Sequence, residues 1–253
     1  MSSISESLIN AEPIAPLKLA ALPGCEKLAS MVNDHLINFR REELADNPSK
    51  KDIYGILPES FLLDLECPRF GSGEAKGLIN ESVRGVDLFL LVDVCNYSET
   101  YQMFGMTNHM SPDDHYQNLK RIIAAVGGKA RRITVIMPFL YESRQHKRSA
   151  RESLDCAIAL QELVKMGVDN IITFDAHDPR VMNSIPLHGF ETVQPAYQFI
   201  KGILKEVKDL KIDNDHLMII SPDEGGTNRA VYMASVLGVD MGMFYKRRDY
   251  SQI

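Results

Sequence analysis

The sequence predicts an α/β fold built on a doubly wound parallel sheet. Short apolar runs, typical of buried strands, alternate along the chain with amphipathic segments that are typical of helices. Strands separated by helices pair in parallel through right-handed crossovers, with the helices covering the sheet. A chain of 253 residues is long enough for two domains of ordinary size. We therefore expect two α/β domains.

Six apolar runs are predicted to be strands, and five amphipathic segments are predicted to be helices. The strands are predicted at residues 17–22, 86–94, 133–137, 170–174, 217–221 and 241–245. The helices are predicted at residues 25–35, 112–126, 153–166, 195–207 and 227–237. The second helix has the clearest ends. Ser111 and Pro112 provide an N-cap followed by proline at the first helical position, and Gly127 provides a stop.

Breaks in these patterns predict the domain organisation. Residues 1–16 are polar and are predicted to be a mobile tail. Residues 17–187 are predicted to form the first domain, with an irregular insertion or an added hairpin at 37–68, where charges and prolines interrupt any period. Pro186 interrupts the pattern again, so a second domain is predicted at 188–253. It has too few predicted strands to close its own core, and we expect it to be incomplete in this chain.

Composition disfavours several classes of protein. The formal net charge of −6 disfavours a nucleic-acid-binding surface, because such surfaces are basic. No apolar run approaches the roughly 20 residues that span a bilayer, and the first residues lack the regions of a secretory signal. We therefore expect a cytoplasmic protein with no membrane partner. The four cysteines are widely separated and are expected to be reduced thiols. Positive charge is clustered, notably in residues 144–151, which suits a small polyanion.

Polar side chains follow the ends of three predicted strands, which is where parallel sheets bind their ligands. Asp223, Gly225 and Gly226 lie between a strand and a helix, so their backbone N–H groups are suited to a phosphate. A carboxylate at this point is suited to Mg²⁺. His177 follows a second strand, and the basic run from Arg144 follows a third. This pattern predicts a site for a magnesium-bound phosphate compound.

Each of these residues also has a purely structural explanation. An aspartate such as Asp223 is typical of a helix N-cap. A histidine such as His177 commonly caps a strand or bonds a neighbouring carbonyl, and a basic run is commonly a solvated loop. Phe70 is by default a core residue. The spacing alone leaves both kinds of explanation open.

Four motifs, taken in order, resemble those of the ribose-phosphate pyrophosphokinases. They are RFGSGE at 69–74 with ESVRG at 81–85, Tyr-x-x-Arg-Gln at 141–145, ITFDAHD at 172–178, and SPDEGGTNRA at 221–230 with YKRR at 245–248. Each motif alone is weakly specific, but their order and spacing together are specific. The resemblance covers roughly residues 17–248.

The resemblance implies transfer of the diphosphoryl group of Mg-ATP to the anomeric hydroxyl of ribose 5-phosphate, giving phosphoribosyl diphosphate and AMP. It also implies two phosphoribosyltransferase-like domains, Mg²⁺ as cofactor, and a homo-oligomer that is a hexamer in the family. Carried over by position, the resemblance implies that Phe70, Ser72 and Glu74 contact adenine and that Arg144 and Gln145 contact ATP. It implies that His177 and Asp223 are Mg²⁺ ligands and that Asp223, Gly225 and Gly226 contact the ribose phosphate. It also implies that Lys246 and Arg248 are catalytic cations. Such a transfer depends on positioning and charge neutralisation, for which Mg²⁺, lysine and arginine are suited.

The chain departs from the family pattern at several points. His146 stands where the family has aspartate after the Arg-Gln pair, and we assign it no role. Ser72 stands where the family has aspartate or asparagine. The Thr/Gly-rich loop that holds the sugar phosphate in the family does not occur before Ile253, so we expect the chain to be part of a longer polypeptide. Two other functions stay open. One is a catalytically silent nucleotide-binding relative that regulates an active synthetase by co-assembly. The other, less well supported, is a base-exchanging phosphoribosyltransferase.

Overall fold

The computed structural model describes residues 13–46, 48 and 57–245. Within these residues the strands, numbered in chain order, are β1 (Leu17–Ala21), β2 (Leu65–Glu66), β3 (Leu78–Ile79), β4 (Asp87–Leu91), β5 (Thr100–Met103), β6 (Met106–His109), β7 (Arg132–Ile136), β8 (Asn170–Phe174), β9 (Gly189–Val193), β10 (Met218–Ser221) and β11 (Asp240–Met243). The helices are α1 (Glu26–Asp46), α2 (Pro112–Val126), α3 (Asp155–Lys165), α4 (Ala196–Glu206) and α5 (Thr227–Leu237). Short 3₁₀ helices cover Pro179–Ser184 and Glu224–Gly226.

The chain divides into two compact units after Val193. The first unit is built on a parallel sheet whose described strands have the order β1-β4-β7-β8-β9. In the second unit, β10 and β11 form a parallel pair against which α5 packs. Parallel strands joined by helical crossovers confirm the predicted class of fold. The predicted boundary at 187/188 lies ahead of β9, which belongs to the first unit because it pairs with β8.

Strand β4 lies in the interior of the first sheet and is buried on both faces. Successive side chains of a strand point to opposite faces. Leu88 and Leu90 belong to the larger core cluster, which also contains residues of α2 and α3 such as Leu119 and Leu160. Leu91 belongs to a second cluster, which contains Cys25 and Ala29 at the start of α1. The sheet is therefore covered by helices on both faces, as a doubly wound fold requires.

The helices and strands with strong end signals match their predicted positions. α2, α5 and β8 begin and end where they were predicted. At the start of α2, the Ser111 hydroxyl accepts a hydrogen bond from the Asp114 N–H, and the Asp114 carboxylate accepts one from the Ser111 N–H. Gly127 ends this helix in the left-handed conformation, at φ 57°. Local capping chemistry thus fixed both ends.

The start of the predicted insertion is wrong, because α1 continues through Asp46 instead of ending at residue 35. Residues 40–46 are mostly good helix formers, but only Leu44 and Ala45 among them are apolar. A prediction that depends on the spacing of apolar residues ends a helix where those residues become sparse. Residues 47 and 49–56 of the predicted insertion lie outside the described residues, as do residues 1–12 of the predicted tail.

Several short strands were not predicted. β5 and β6 form an antiparallel hairpin whose turn residues, Phe104 and Gly105, both have positive φ, at 50° and 79°. Such a two-residue turn matches the twist of a hairpin, although phenylalanine is an unusual residue in it. β2 and β3 are two residues each, which is too short for a periodic signal. β9 follows Pro186, which had been interpreted as a break between domains.

The outer side of β1 carries a backbone contact with a later segment. The Leu19 N–H donates to the Phe61 carbonyl, and the Leu63 N–H donates to the Leu19 carbonyl, both at 2.8 Å. The segment around Leu62 therefore lies along β1 on the side away from β4. In the described part of the chain, no helix has the length and apolar character needed to cross a membrane.

Candidate nucleotide site

The loops that follow β7 and β8 lie side by side at the carboxyl edge of the first sheet. These strands are parallel neighbours, so the chain leaves both of them at the same edge. The Met137 N–H donates to the Ile172 carbonyl at 2.8 Å, and the Phe174 N–H donates to the Pro138 carbonyl at 3.2 Å. These bonds join the two loops where they begin, so the basic loop and the histidine loop are neighbours.

The loop after β7 is anchored to α2 and presents Arg144 outward. The Tyr141 hydroxyl donates to the Asp113 carboxylate at 2.6 Å, and its ring stacks on Tyr116 with centroids 4.3 Å apart. Burial, followed by this hydrogen bond to Asp113, raises the pKa of Tyr141, so the hydroxyl remains a donor. Ser143 is buried, whereas Arg144 is exposed. The structure thus holds an exposed guanidinium on a fixed loop.

Arg144 lies in a cleft of about 220 Å³ at this edge. The cleft is lined by Val94, Cys95, Pro112, Phe139, Tyr141, Glu142, Ser143 and Arg144. Burial, then the charges of Asp155 and Asp113, raise the pKa of Glu142. A guanidinium binds phosphate oxygens in a bidentate manner. The cleft is chemically suited to a phosphate group.

The amide of Gln145 has a structural role in this loop. Its Nε2 donates to the Ser153 carbonyl at 2.7 Å and to the Lys147 carbonyl at 3.3 Å. These bonds join Gln145 to later residues of the same basic segment. The ATP contact predicted for Gln145 therefore stays a prediction, and it would compete with bonds that the side chain already makes.

His177 lies in the loop after β8 beside a second histidine. It is exposed, and its ring lies 5.1 Å from the ring of His146, centroid to centroid. His146 Nε2 lies 3.5 Å from an oxygen of Asp178, and its Nδ1 lies 3.2 Å from the Arg144 carbonyl oxygen. Hydrogen bonds from Arg180, with smaller help from His146, lower the pKa of Asp178. The structure therefore connects His177 to the Arg144 loop through His146.

His146 and Asp178 are the residues of this region that sequence reasoning missed. His146 was noticed only as a departure from the family pattern, and Asp178 only as part of a motif. A usable signal was present, because each stands directly beside a predicted site residue, Gln145 or His177, after neighbouring strands.

The predicted adenine motif forms a tight turn. The Phe70 N–H donates to the Glu74 carbonyl at 2.8 Å, and the Gly73 N–H donates to the Phe70 carbonyl at 2.9 Å. Gly73 has φ 91°, a conformation that favours glycine. The Ser72 hydroxyl donates to the Glu74 carboxylate at 2.9 Å. Phe70 is 54% exposed, so it is not the core residue that its type suggested.

Arg69 connects this turn to α2. It donates to the Gly73 carbonyl at 2.9 Å and forms an ion pair with Asp114 at 3.1 Å, while its guanidinium lies 4.1 Å from the centre of the Tyr101 ring. Asp113, the neighbour of Asp114, holds Tyr141 of the Arg144 loop. The first turn of α2 therefore anchors both the turn predicted to contact adenine and the loop that carries Arg144.

The second unit carries the glycine pair and Asp223. The Asp223 carboxylate accepts a hydrogen bond from the Gly226 N–H at 3.1 Å, so it caps the 3₁₀ turn that precedes α5. The Ser221 hydroxyl donates to the Asp223 carbonyl at 2.6 Å. A Cβ at Gly226 would lie 2.7 Å from the Ser221 hydroxyl oxygen, which accounts for glycine there. Asp223 thus caps the 3₁₀ turn and not α5, whose N-cap is Gly226, and its predicted Mg²⁺ role stays a prediction.

The remaining predicted groups are distributed as follows. His177 and Arg144 belong to the first unit, and Asp223 belongs to the second. Lys246 and Arg248 lie outside the described residues. Within residues 13–46, 48 and 57–245, no group of three or more histidines, cysteines or acids is arranged to hold a metal ion.

Comparison with known proteins identifies the family of the first unit. The profile of the N-terminal domain of ribose phosphate pyrophosphokinase matches residues 17–167. A ribose-phosphate pyrophosphokinase of Ralstonia nicotianae is 31% identical over 188 residues, which cover 73% of this chain and 53% of that protein. Ribose-phosphate pyrophosphokinase B of Dictyostelium discoideum is 29% identical over 182 residues, covering 70% of this chain and 50% of that protein.

A solved structure supports the fold. The crystal structure of phosphoribosylpyrophosphate synthetase from Mycobacterium smegmatis matches with a TM-score of 0.65 and 23% identity, covering 92% of this chain and 65% of that one. The chain spans about half the length of the curated relatives it matches. Because the family profile covers more than half of the described chain, in the order of motifs set out above, the protein belongs to the ribose-phosphate pyrophosphokinase family.

Proposed function

We propose that the protein takes part in transferring the diphosphoryl group of ATP to the anomeric hydroxyl of ribose 5-phosphate. In this reaction the sugar hydroxyl oxygen forms a bond to the β-phosphorus of ATP, the bond from that phosphorus to the α,β-bridging oxygen breaks, and AMP leaves. The hydroxyl proton is released to solvent. The first unit would bind the nucleotide.

The observation that carries this proposal is the first turn of α2, which anchors the Phe70 turn and the Arg144 loop together. Phe70 offers an exposed aromatic face for a purine, and Ser72 and Glu74 offer polar groups beside it. Arg144 offers a cation for phosphate oxygens. Family membership supports the same assignment.

The proposal includes a magnesium ion that is bound mainly through the nucleotide, since the described residues contain no group of three or more histidines, cysteines or acids that could hold it. Mg²⁺ keeps several waters and usually takes one or two protein ligands together with substrate phosphates. A dedicated cluster of protein ligands is therefore not required. Each of His177 and Asp223 is proposed as one such ligand, although imidazole is an unusual ligand for this ion. When bound, the ion supplies neutralisation of the charge on the phosphates.

The other proposed groups act on charge and position. Gly225 and Gly226 keep side chains out of the turn after β10, so that a phosphate of the sugar can approach the backbone. Gln145 would contact ATP, and Lys246 and Arg248 would supply cations to the transferred group. A homo-oligomer, as the family resemblance implies, is part of the same proposal.

The direct test is to incubate the purified protein with ATP, Mg²⁺ and ribose 5-phosphate. Phosphoribosyl diphosphate and AMP are expected in equal amounts, and ³¹P NMR and chromatography measure them. AMP formation that does not depend on ribose 5-phosphate would contradict the proposal.

The alternative is a catalytically silent relative that regulates an active synthetase by co-assembly. The bonds of the Gln145 amide within its own loop favour this alternative, because they engage the Nε2 donor that a contact with ATP would otherwise use. The decisive outcome would be no turnover by the protein alone, together with co-purification of a second, active synthetase.

Replacing Asp223 with asparagine is expected to raise the Mg²⁺ concentration for half-maximal activity by about tenfold, since one charged contact is lost. Asparagine caps a helical turn as well as aspartate does, so thermal stability should be unchanged. A Mg²⁺ titration of activity, with a melting curve for each variant, measures both effects.

The matched control is Glu224→Gln, which removes a neighbouring exposed negative charge. It should leave the Mg²⁺ titration within about twofold of the original. An unchanged titration for Asp223→Asn would remove Asp223 from the proposed metal site, and equal shifts in both variants would indicate only a general effect of charge.

A further inference from the structure

We infer that His146 is a positioning residue that fixes the Arg144 loop to the loop after β8, and thereby sets the affinity for the nucleotide phosphates. The inference rests on the proposed function, because it assigns Arg144 to those phosphates. His146 itself would touch neither ATP nor the reacting atoms.

The contacts of the His146 ring point in two directions. On one side, Nδ1 lies 3.2 Å from the carbonyl oxygen of Arg144 in its own loop. On the other side, Nε2 lies 3.5 Å from a carboxylate oxygen of Asp178 in the neighbouring loop. The ring also lies against that of His177 at an interplanar angle of 30°. One side chain therefore bridges the two loops that carry Arg144 and His177.

The bridge lies in a protected place, and its far end is fixed. The side chain of His146 is 13% exposed and that of Asp178 is 12% exposed. The Asp178 carboxylate accepts hydrogen bonds from the backbone N–H of Arg180 at 3.0 Å and from its guanidinium at 2.5 to 3.1 Å. The bond from the backbone N–H of Arg180 caps the 3₁₀ helix that begins at Pro179. His146 thus connects the Arg144 loop to an ordered turn.

Two histidines and an aspartate also suggest a transition-metal site, but the geometry disfavours it. Among the residues that the structure describes, no such trio is arranged to hold an ion. Both oxygens of Asp178 are already engaged by Arg180. A bridge between loops accounts for all of these contacts.

The position of His146 explains why the bridge would matter to binding. It follows Arg144 by two residues and contacts the backbone of that residue. The Arg144 side chain is exposed, so its direction depends on how well its backbone is held. A guanidinium that is held in advance loses less conformational freedom when it binds phosphate.

The test compares Mg-ATP binding by three variants, measured by calorimetry on the full chain. His146→Ala is expected to raise the Kd about tenfold, because the loop loses the hydrogen bond at the Arg144 carbonyl and the contact with the Asp178 loop, and one hydrogen bond is worth about one factor of ten. His146→Gln keeps a donor at similar reach and should restore the Kd to within about threefold. His146→Asp places a carboxylate opposite Asp178 and should bind more weakly than the alanine variant.

A positioning role also predicts a particular pattern in kinetics. The KM for ATP should rise with the Kd in His146→Ala, while kcat stays within about twofold, because uniform binding is lost. The matched control is His188→Ala, which removes an exposed histidine from the same unit and should change neither quantity. A drop in kcat at constant KM would overturn the inference.

A second measurement does not depend on ATP. In the ligand-free protein, amide hydrogen exchange of residues 141–146 should accelerate in His146→Ala but not in His188→Ala, with α2 unchanged. Unchanged exchange, or normal ATP binding by His146→Ala, would overturn the inference. If the original protein fails to bind ATP while exchange still accelerates, the proposed function fails and the bridge stands without its role in binding.

Discussion

Replacement of Lys246 by alanine is expected to lower kcat by about 10²- to 10³-fold, the usual effect of removing one group that stabilises the transition state. Lys246 lies outside the described residues, so this expectation rests on the YKRR motif and the proposed function. The positive charge of Lys246 would stabilise the transferred diphosphoryl group mainly in the transition state, where the charge on that group is redistributed. The Kd for ATP should therefore stay within about twofold.

The measurement is a steady-state assay of AMP and phosphoribosyl diphosphate, paired with calorimetric ATP binding. Arg247→Ala provides the control, because it removes a neighbouring positive charge that has no assigned role. Weaker ATP binding with unchanged kcat would make Lys246 a binding group instead of a catalytic one.

The second large effect is expected for stability. Leu90→Ala should reduce the free energy of unfolding by about 2 to 5 kcal/mol, the range for a buried leucine that leaves a cavity. Leu90 is fully buried in β4, which pairs with β1 on one side and β7 on the other. Strands on both sides limit how far the surroundings can collapse into the space.

Urea denaturation monitored by circular dichroism measures this effect as a lower midpoint with an unchanged slope. Leu187→Ala is the matched control, since Leu187 is 92% exposed and its loss should cost less than about 0.5 kcal/mol. Equal losses for the two leucines would mean that β4 is not at the centre of the core.

Elements whose local chemistry agrees with their packing could be predicted from the sequence. α2 has a capping box at Ser111 and a left-handed glycine at its end, and its predicted bounds are correct. α1 lacks this agreement, because its second half is helical by propensity while its polar surface hides the period. The strand β9 was not predicted, because Pro186 and the short length of the strand favoured a break between domains at this point.

The candidate site likewise contains features that the sequence predicted and features that it did not. The order of motifs predicted which residues would gather after the strands, and the structure brings Arg144 and His177 to the same edge of the first sheet. It did not predict that Gln145 would bond its own loop, because that depends on how the basic segment folds back. The contact of His146 with Asp178 depends on which strands are neighbours in the sheet, and the local sequence does not predict strand order.

The backbone bonds around Leu19 have a consequence for solubility. A bare outer strand offers unpaired amides to other chains and promotes aggregation edge to edge. In this protein the Phe61–Leu63 segment occupies those amides at Leu19, so the first strand of the sheet is not an open template for foreign β-strands. Deleting that segment should therefore promote self-association more than it weakens nucleotide binding, because it uncovers the outer edge of β1, and β4 separates β1 from β7, the strand that leads into the Arg144 loop.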